Sequence, residues 1–239
     1  LFSAKRSFFY HIIGENAGSR FRNSISADNT KGNRIAVGAP LDNEVEEDAG
    51  RIFLFDFYEF RWNKKFDTNT LLYGSQAGSQ LGKHVALGCT GTVVASRDHD
   101  NAVENFPNAG VVKTWNFFDD LSIISPIGDP ISGSYENAQF GHDMQLRCAG
   151  TMLGLVLIAS SENQNGRAGS TLVTAIRDFD DNLDAIEFSS PELGDTVWLG
   201  KGPSVAMSGR GNRVAVGYES IRSNGVSRSE LHIYDHMGI

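Results

Sequence analysis

Short apolar runs bounded by glycine turns recur along this chain at a fixed spacing. The clearest is Gly32-Asn33-Arg34-Ile35-Ala36-Val37-Gly38-Ala39-Pro40, which returns as Gly211-Asn212-Arg213-Val214-Ala215-Val216-Gly217-Tyr218. Between them stand two worn copies, Gly91-Thr92-Val93-Val94-Ala95-Ser96 and Leu155-Val156-Leu157-Ile158-Ala159-Ser160. Self-similarity at a fixed period marks a repeat architecture and has to be read before any local feature. Three ladders set the period. Arg22, Gly82, Gly141 and Gly202 are separated by 60, 59 and 61 residues, and Gly14, Gly74, Gly133 and Gly194 keep the same intervals. Gly50, Gly110, Gly169 and Ser229 follow at 60, 59 and 60.

Each unit predicts four strands. In the first, apolar side chains alternate: Ile25 and Ala27, Val85 and Leu87, Met144 and Leu146, Val205 and Met207. Alternation belongs to a strand with two different faces, and these residues are expected to point inward. The second strand, the recurring run itself, is apolar on both faces, as a central strand covered on both sides must be. The third follows an Ala-Gly turn, near 52–55, 111–115, 171–176 and 231–234, and the fourth falls near 62–73, 121–131 and 183–193. Glycine marks the turns because tight connections need positive φ or close backbone approach. No helix is predicted.

A four-stranded unit of this size cannot bury both of its faces alone, so neighbouring units must cover them. Tandem units of this kind point to an all-β fold, a β-propeller of four antiparallel, four-stranded blades. The predicted blades are residues 14–73, 74–132, 133–193 and 194–239. Residues 1–13, with Phe8-Phe9-Tyr10 and Ile12-Ile13, align with a fourth strand that would complete the last blade, whose own pattern stops after its third strand. Two geometries satisfy this phase: a closed four-bladed ring, or an arc of a larger propeller.

Composition narrows the function classes. The net charge is -8 and the pI about 5.2, a surface that repels phosphate backbones and excludes a nucleic-acid partner. No apolar run approaches the ~20 residues of a membrane-spanning helix, and no signal-peptide pattern is legible at Leu1-Phe2-Ser3. Cys89 and Cys148 are the only cysteines. Two do not make a disulfide framework, and both are expected as small side chains in or near the core.

The motifs resemble the FG-GAP repeats of the integrin α-subunit propeller. Phe140-Gly141 and Leu81-Gly82 match that family's first element, with Phe21-Arg22 and Lys201-Gly202 matching it in part. Val37-Gly38-Ala39-Pro40 matches the second, and Ala49-Gly50, Ala109-Gly110 and Ala168-Gly169 match the third. The resemblance covers essentially the whole chain. It implies an extracellular or cell-surface binding or adhesion module with a protein or glycan ligand, alone or beside further repeats of the same polypeptide. Calcium does not follow. The family's calcium turn needs several carboxylates, whereas Asp28-Asn29-Thr30-Lys31-Gly32-Asn33-Arg34 offers one carboxylate and two cations. No cofactor or metal is expected.

The candidate ligand-binding residues are carboxylates with one histidine and lie after the second strands: Asp42, Glu44, Glu46, Glu47 and Asp48 in unit one, and Asp98, His99 and Asp100 in unit two. In a propeller these loops share one face with the connections into the next blade, the face that binds partners in the resembling family. A charge run is also how a solvated loop keeps a protein soluble, so the acidic loops carry both readings. An alternative function, a propeller hydrolase, requires carboxylates, or a carboxylate and a histidine, converging on the central channel. A purely structural repeat is the third reading.

Overall fold

The structure, a computed structural model, describes residues 10–28, 32–65, 72–88, 91–98, 108–117, 124–133, 136–149, 154–160, 171–177, 182–188, 196–197, 204–208, 213–222 and 227–235. Among them every regular element is a strand, and all the strand pairs are antiparallel. Sheet 1 runs β1 (Ser24–Ala27), β2 (Arg34–Ala39), β3 (Arg51–Tyr58) and β4 (Arg61–Lys65) in spatial order. Sheet 2 follows with β5 (Val85–Gly88), β6 (Val93–Asp98), β7 (Val111–Phe117) and β8 (Ile124–Pro126). A short β9 (Ile131–Ser132) also pairs with β7. Its fourth-strand position is split because Gly128 has φ 60° and Pro130 lacks an N–H for the ladder.

Sheet 3 holds β10 (Met144–Ala149), β11 (Gly154–Ser160), β12 (Thr171–Arg177) and β13 (Asn182–Phe188). In sheet 4, β15 (Ser204–Met207), β16 (Arg213–Arg222) and β17 (Ser227–Asp235) pair in that order, while β14 (Thr196–Val197) joins the far end of β16 beside β15. Residues 10–13 form no strand and lie against sheet 1. The ring of Tyr10 meets Phe57 edge-on at 5.1 Å, and Ile12 packs on Val37, Ala39, Phe53 and Phe55. Residues 1–9, the rest of the expected closing strand, lie outside the described residues, as do Cys89 and the side chain of Cys148.

The sheets are joined face to face, and the core is the set of seams between them. Ala36, Ile52 and Leu54 of sheet 1 meet Leu81, Val85, Leu87, Val94, Trp115 and Phe117 of sheet 2. Ala86, Val93, Ala95 and Val112 of sheet 2 meet Phe140, Met144 and Leu146 of sheet 3. The second strand of sheet 2 is buried on both faces, because it lies between two seams; all six residues of β6 are buried. The first strand of sheet 1 departs from the expected pattern. Ile25 is 62% exposed, whereas its counterpart Val85 is 8% exposed. The alternation is present in both, but Val85 faces sheet 1 and Ile25 faces away from sheet 2.

The glycine ladders mark a backbone latch that repeats at successive seams. Leu81 N–H donates to Ala49 C=O (2.9 Å) and Gly74 N–H to Gly50 C=O (2.9 Å); one unit later Phe140 donates to Ala109 (2.7 Å) and Gly133 to Gly110 (2.9 Å). The latch requires left-handed backbone at matching positions, whatever the side chain. Arg22, Gly82 and Gly141 have φ of 79°, 90° and 83°, and Arg20, Gln80 and Gln139 have φ of 52°, 51° and 50°. At Gly82 a Cβ would also sit 2.5 Å from Arg51 C=O.

Arg22 thus occupies a glycine conformation while exposed to solvent. Urea denaturation of Arg22→Gly is expected to show a gain of about 1 kcal/mol, the relieved left-handed strain less the added chain entropy. Gly82→Ala is expected to lose about 2–3 kcal/mol, because strain and a backbone clash combine there.

Candidate functional site

The first strands of the four sheets stand next to one another, β1 beside β5, β5 beside β10 and β10 beside β15. In every sheet the first strand is an edge, so a row of its backbone groups has no ladder partner. Side chains of one sheet supply those partners for the next. Ser24 Oγ donates to Gly82 C=O (2.8 Å) and Asn23 Nδ2 to Lys83 C=O (2.8 Å). Ser26 Oγ accepts from Leu87 N–H (2.9 Å). Between sheets 3 and 4, Asp143 Oδ2 accepts from Val205 N–H (2.9 Å) and Gln145 Oε1 from Met207 N–H (3.0 Å).

The first strands of sheets 1, 2 and 3 line a cleft of about 360 Å³. Its polar lining is Ser24, Ser26, His84, Asp143, Gln145 and Arg147. That is the volume range of small-ligand sites, and the donors and acceptors suit a hydroxyl-rich ligand. The surroundings of His84 shift its titration. Burial lowers its pKa to about 4, with the charges of Arg97, His142 and Lys83 adding to the effect. Arg97 is completely buried and donates through Nη2 to Gln139 Oε1 (3.2 Å), and the rings of His84 and His142 are 5.7 Å apart. At neutral pH His84 is therefore an uncharged imidazole, able to donate one hydrogen bond and accept one.

The predicted acidic residues divide. Asp42 is 1% exposed. Its carboxylate accepts from Glu44 N–H (3.1 Å) and Asn16 Nδ2 (3.1 Å), so it shapes the loop instead of facing a ligand. Asp98 is fully buried at the end of β6, 2.5 Å from Lys113 Nζ, not in the loop where it was expected. His99 and Asp100 lie outside the described residues. Glu44, Glu46 and Glu47 are exposed and Asp48 half-buried. Their loop is tied to the connection into sheet 2, with Gly78 N–H donating to Glu47 C=O (2.8 Å) and Gln80 N–H to Asp48 C=O (3.0 Å). Among the described residues no three His, Cys, Asp or Glu side chains gather as a metal site would need.

The residues that the sequence reading passed over are those of the cleft. A signal was available. Ser24, His84, Asp143 and Ser204 stand at equivalent places in the four units, and Ser26, Ala86, Gln145 and Ala206 two residues on. Mostly polar side chains between the apolar positions of a strand mark positions that make polar contacts across a seam.

No protein-family model matches the chain, and no curated protein does. Solved structures do match. One is the high-resolution structure of Penicillium chrysogenum alpha-L-arabinanase complexed with arabinobiose, a β-propeller, at 11% identity and a TM-score of 0.51. The match covers 92% of this chain and 63% of that one. The likeness is one of fold: this chain has a β-propeller architecture, its sheets are blades, and the cleft lies on the first strands of three of those blades.

His84 links the cleft to stability. Its folded pKa lies below the unfolded value of about 6.5, so the stability it contributes is complete above that value and is lost as the pH falls toward 4. Between pH 7 and 4.5 His84→Gln is expected to lose roughly 2 kcal/mol less than the parent chain, measured from paired urea denaturation curves.

Proposed function

We propose that this chain is a non-catalytic propeller module that binds a glycan in the cleft formed by the first strands of its first three blades. The observation that carries this reading is the cleft's lining: hydroxyl, amide, imidazole, carboxylate and guanidinium groups in a space the size of a small saccharide. The side chains that line it also tie successive blades together, so the cleft is rigid, and a preorganised site loses little entropy on binding. The exposed Glu44, Glu46 and Glu47 form a rim that keeps the surface solvated. The adhesion role implied by the FG-GAP resemblance is part of this proposal, with the cleft in place of the acidic loop as the ligand's seat.

A hydrolase is the second reading, favoured by the alpha-L-arabinanase likeness and by His84 and Asp143 lining one cleft. Glycoside hydrolysis ordinarily uses two carboxyl groups flanking the scissile bond. Among the described residues that line the cleft, Asp143 is the one carboxylate. That difference favours binding without turnover.

Titration calorimetry with arabinobiose, cellobiose and maltose is expected to show binding of at least one disaccharide. Arg147→Ala should weaken it about tenfold or more, the loss of one charge-assisted hydrogen bond. The double variant Glu46→Lys, Glu47→Lys should bind as the parent does. Release of monosaccharide that disappears in Asp143→Asn would establish the hydrolase instead, and no binding of any of the three would remove the cleft as a glycan site.

A further inference from the structure

The Gly-Asn-Arg motif that opens the second strand occurs twice, before β2 and before β16, and its arginine does the same thing in both sheets. Arg34 pairs with Asp56 directly across the β2–β3 ladder, through Nε to Oδ1 and Nη2 to Oδ2. Arg213 pairs with Asp235 directly across the β16–β17 ladder, through Nε to Oδ1. The two differ in what lies beyond. Arg34 reaches into sheet 2, where Nη1 donates to Gly91 C=O (2.9 Å) and the guanidinium lies over the Phe117 ring at 5.0 Å. The Arg34–Asp56 side chains are 7% and 17% exposed, those of Arg213–Asp235 63% and 58%.

The likeness extends over the whole face. In sheet 1 the rows Ser24–Gly38–Ile52 and Ser26–Ala36–Leu54 run across β1, β2 and β3. In sheet 4 the rows Ser204–Gly217–Leu231 and Ala206–Ala215–Ile233 run across β15, β16 and β17 in the same register. Sheet 2 covers the first set, leaving Ile52 2% and Leu54 0% exposed. Leu231 is 65% and Ile233 60% exposed. The opposite faces of both strands behave as seams should, since Val205, Met207, Val214 and Val216 are buried on the side of sheet 3. At the other end of the row, Ile25 of sheet 1 shows a similar exposure to solvent.

We propose that the outer face of sheet 4 is a docking face for one further blade of this same repeat, seated between sheet 4 and sheet 1. Its first strand would present two alternating apolar side chains, as Val85 and Leu87 do, to Leu231 and Ile233. An aromatic ring and a carbonyl, in the places of Phe117 and Gly91, would receive Arg213. Its other face would cover Ile25. Closure of sheet 4 directly onto sheet 1 is disfavoured by the structure, in which Leu231, Ile233 and Ile25 stay exposed and, among the described residues, sheet 4 makes no extensive strand contact with sheet 1. The matched arabinanase has five blades, and this chain spans 63% of it.

The probe is a blade known to fit such a face. The chain is prepared unchanged and in an extended form, in which residues 236–239 are replaced by a second copy of residues 57–132; that copy supplies a fourth strand for sheet 4 and the whole of sheet 2. The extended chain is expected to melt in one transition at a higher temperature than the unchanged chain. In the extended chain, Leu231→Asp and Arg213→Ala should each lower the melting temperature by several degrees, as loss of a buried contact does. In the unchanged chain both should leave it within about a degree. Equal effects in the two forms, or a separate transition for the added blade, overturn the proposal. So does a dimer of the unchanged chain in sedimentation that Leu231→Asp dissociates, which would make a second copy the occupant. Efficient disulfide formation between Ile25→Cys and Leu231→Cys in the unchanged chain would show closure by four blades and overturn it equally.

Discussion

Arg34 is the point at which one blade takes hold of the next. Its guanidinium is fixed by Asp56 on its own sheet, bonds Gly91 C=O and covers the Phe117 ring on the neighbouring one. A planar, permanently charged fork can do all three together, which lysine cannot. The charge is nearly buried, and such a group is tolerable only when its partners are complete. Arg34 therefore ties the correct stacking of two sheets to the correct pairing of β2 with β3. Around it the apolar seam supplies the bulk of the stabilisation, while the arginine sets the register at which the sheets meet.

The same logic makes the cleft. A propeller's inner strands must leave one edge unpaired, and here Ser24, Ser26, Asp143 and Gln145 complete those edges from the neighbouring blade. The polar lining is first a structural necessity. Its consequence is a rigid pocket rich in donors and acceptors, with a neutral His84 at the seam of the second and third blades. Structure and candidate function use the same atoms, so variants in the cleft need a stability measurement beside every binding measurement.

Much of this was legible in the sequence. The period, the all-β fold, the two-sided apolarity of the second strands and the Ala-Gly turns follow from residue spacing, because each reports a local backbone demand. The left-handed positions were visible only where glycine fills them; Arg20, Gln80 and Gln139 adopt that backbone without announcing it. The site was less legible. Asp42 and Asp98 belong to acidic runs, and an acidic run suggests solvent, yet the loop fold and Lys113 draw both inside. The meaning of Arg34 depends on Asp56 and Phe117, distant in sequence, so the repeated Gly-Asn-Arg could be seen but not understood.

The latch between blades is made by main-chain groups alone, with the exposed Glu44, Glu46 and Glu47 carried on its outer turn. Its geometry is indifferent to what those side chains are. Mutational drift can rewrite that rim freely, in charge, size or chemistry, while the blades keep their grip. A scaffold of this kind separates what inheritance must preserve from what it can vary, and new recognition surfaces can arise on it without the fold being renegotiated.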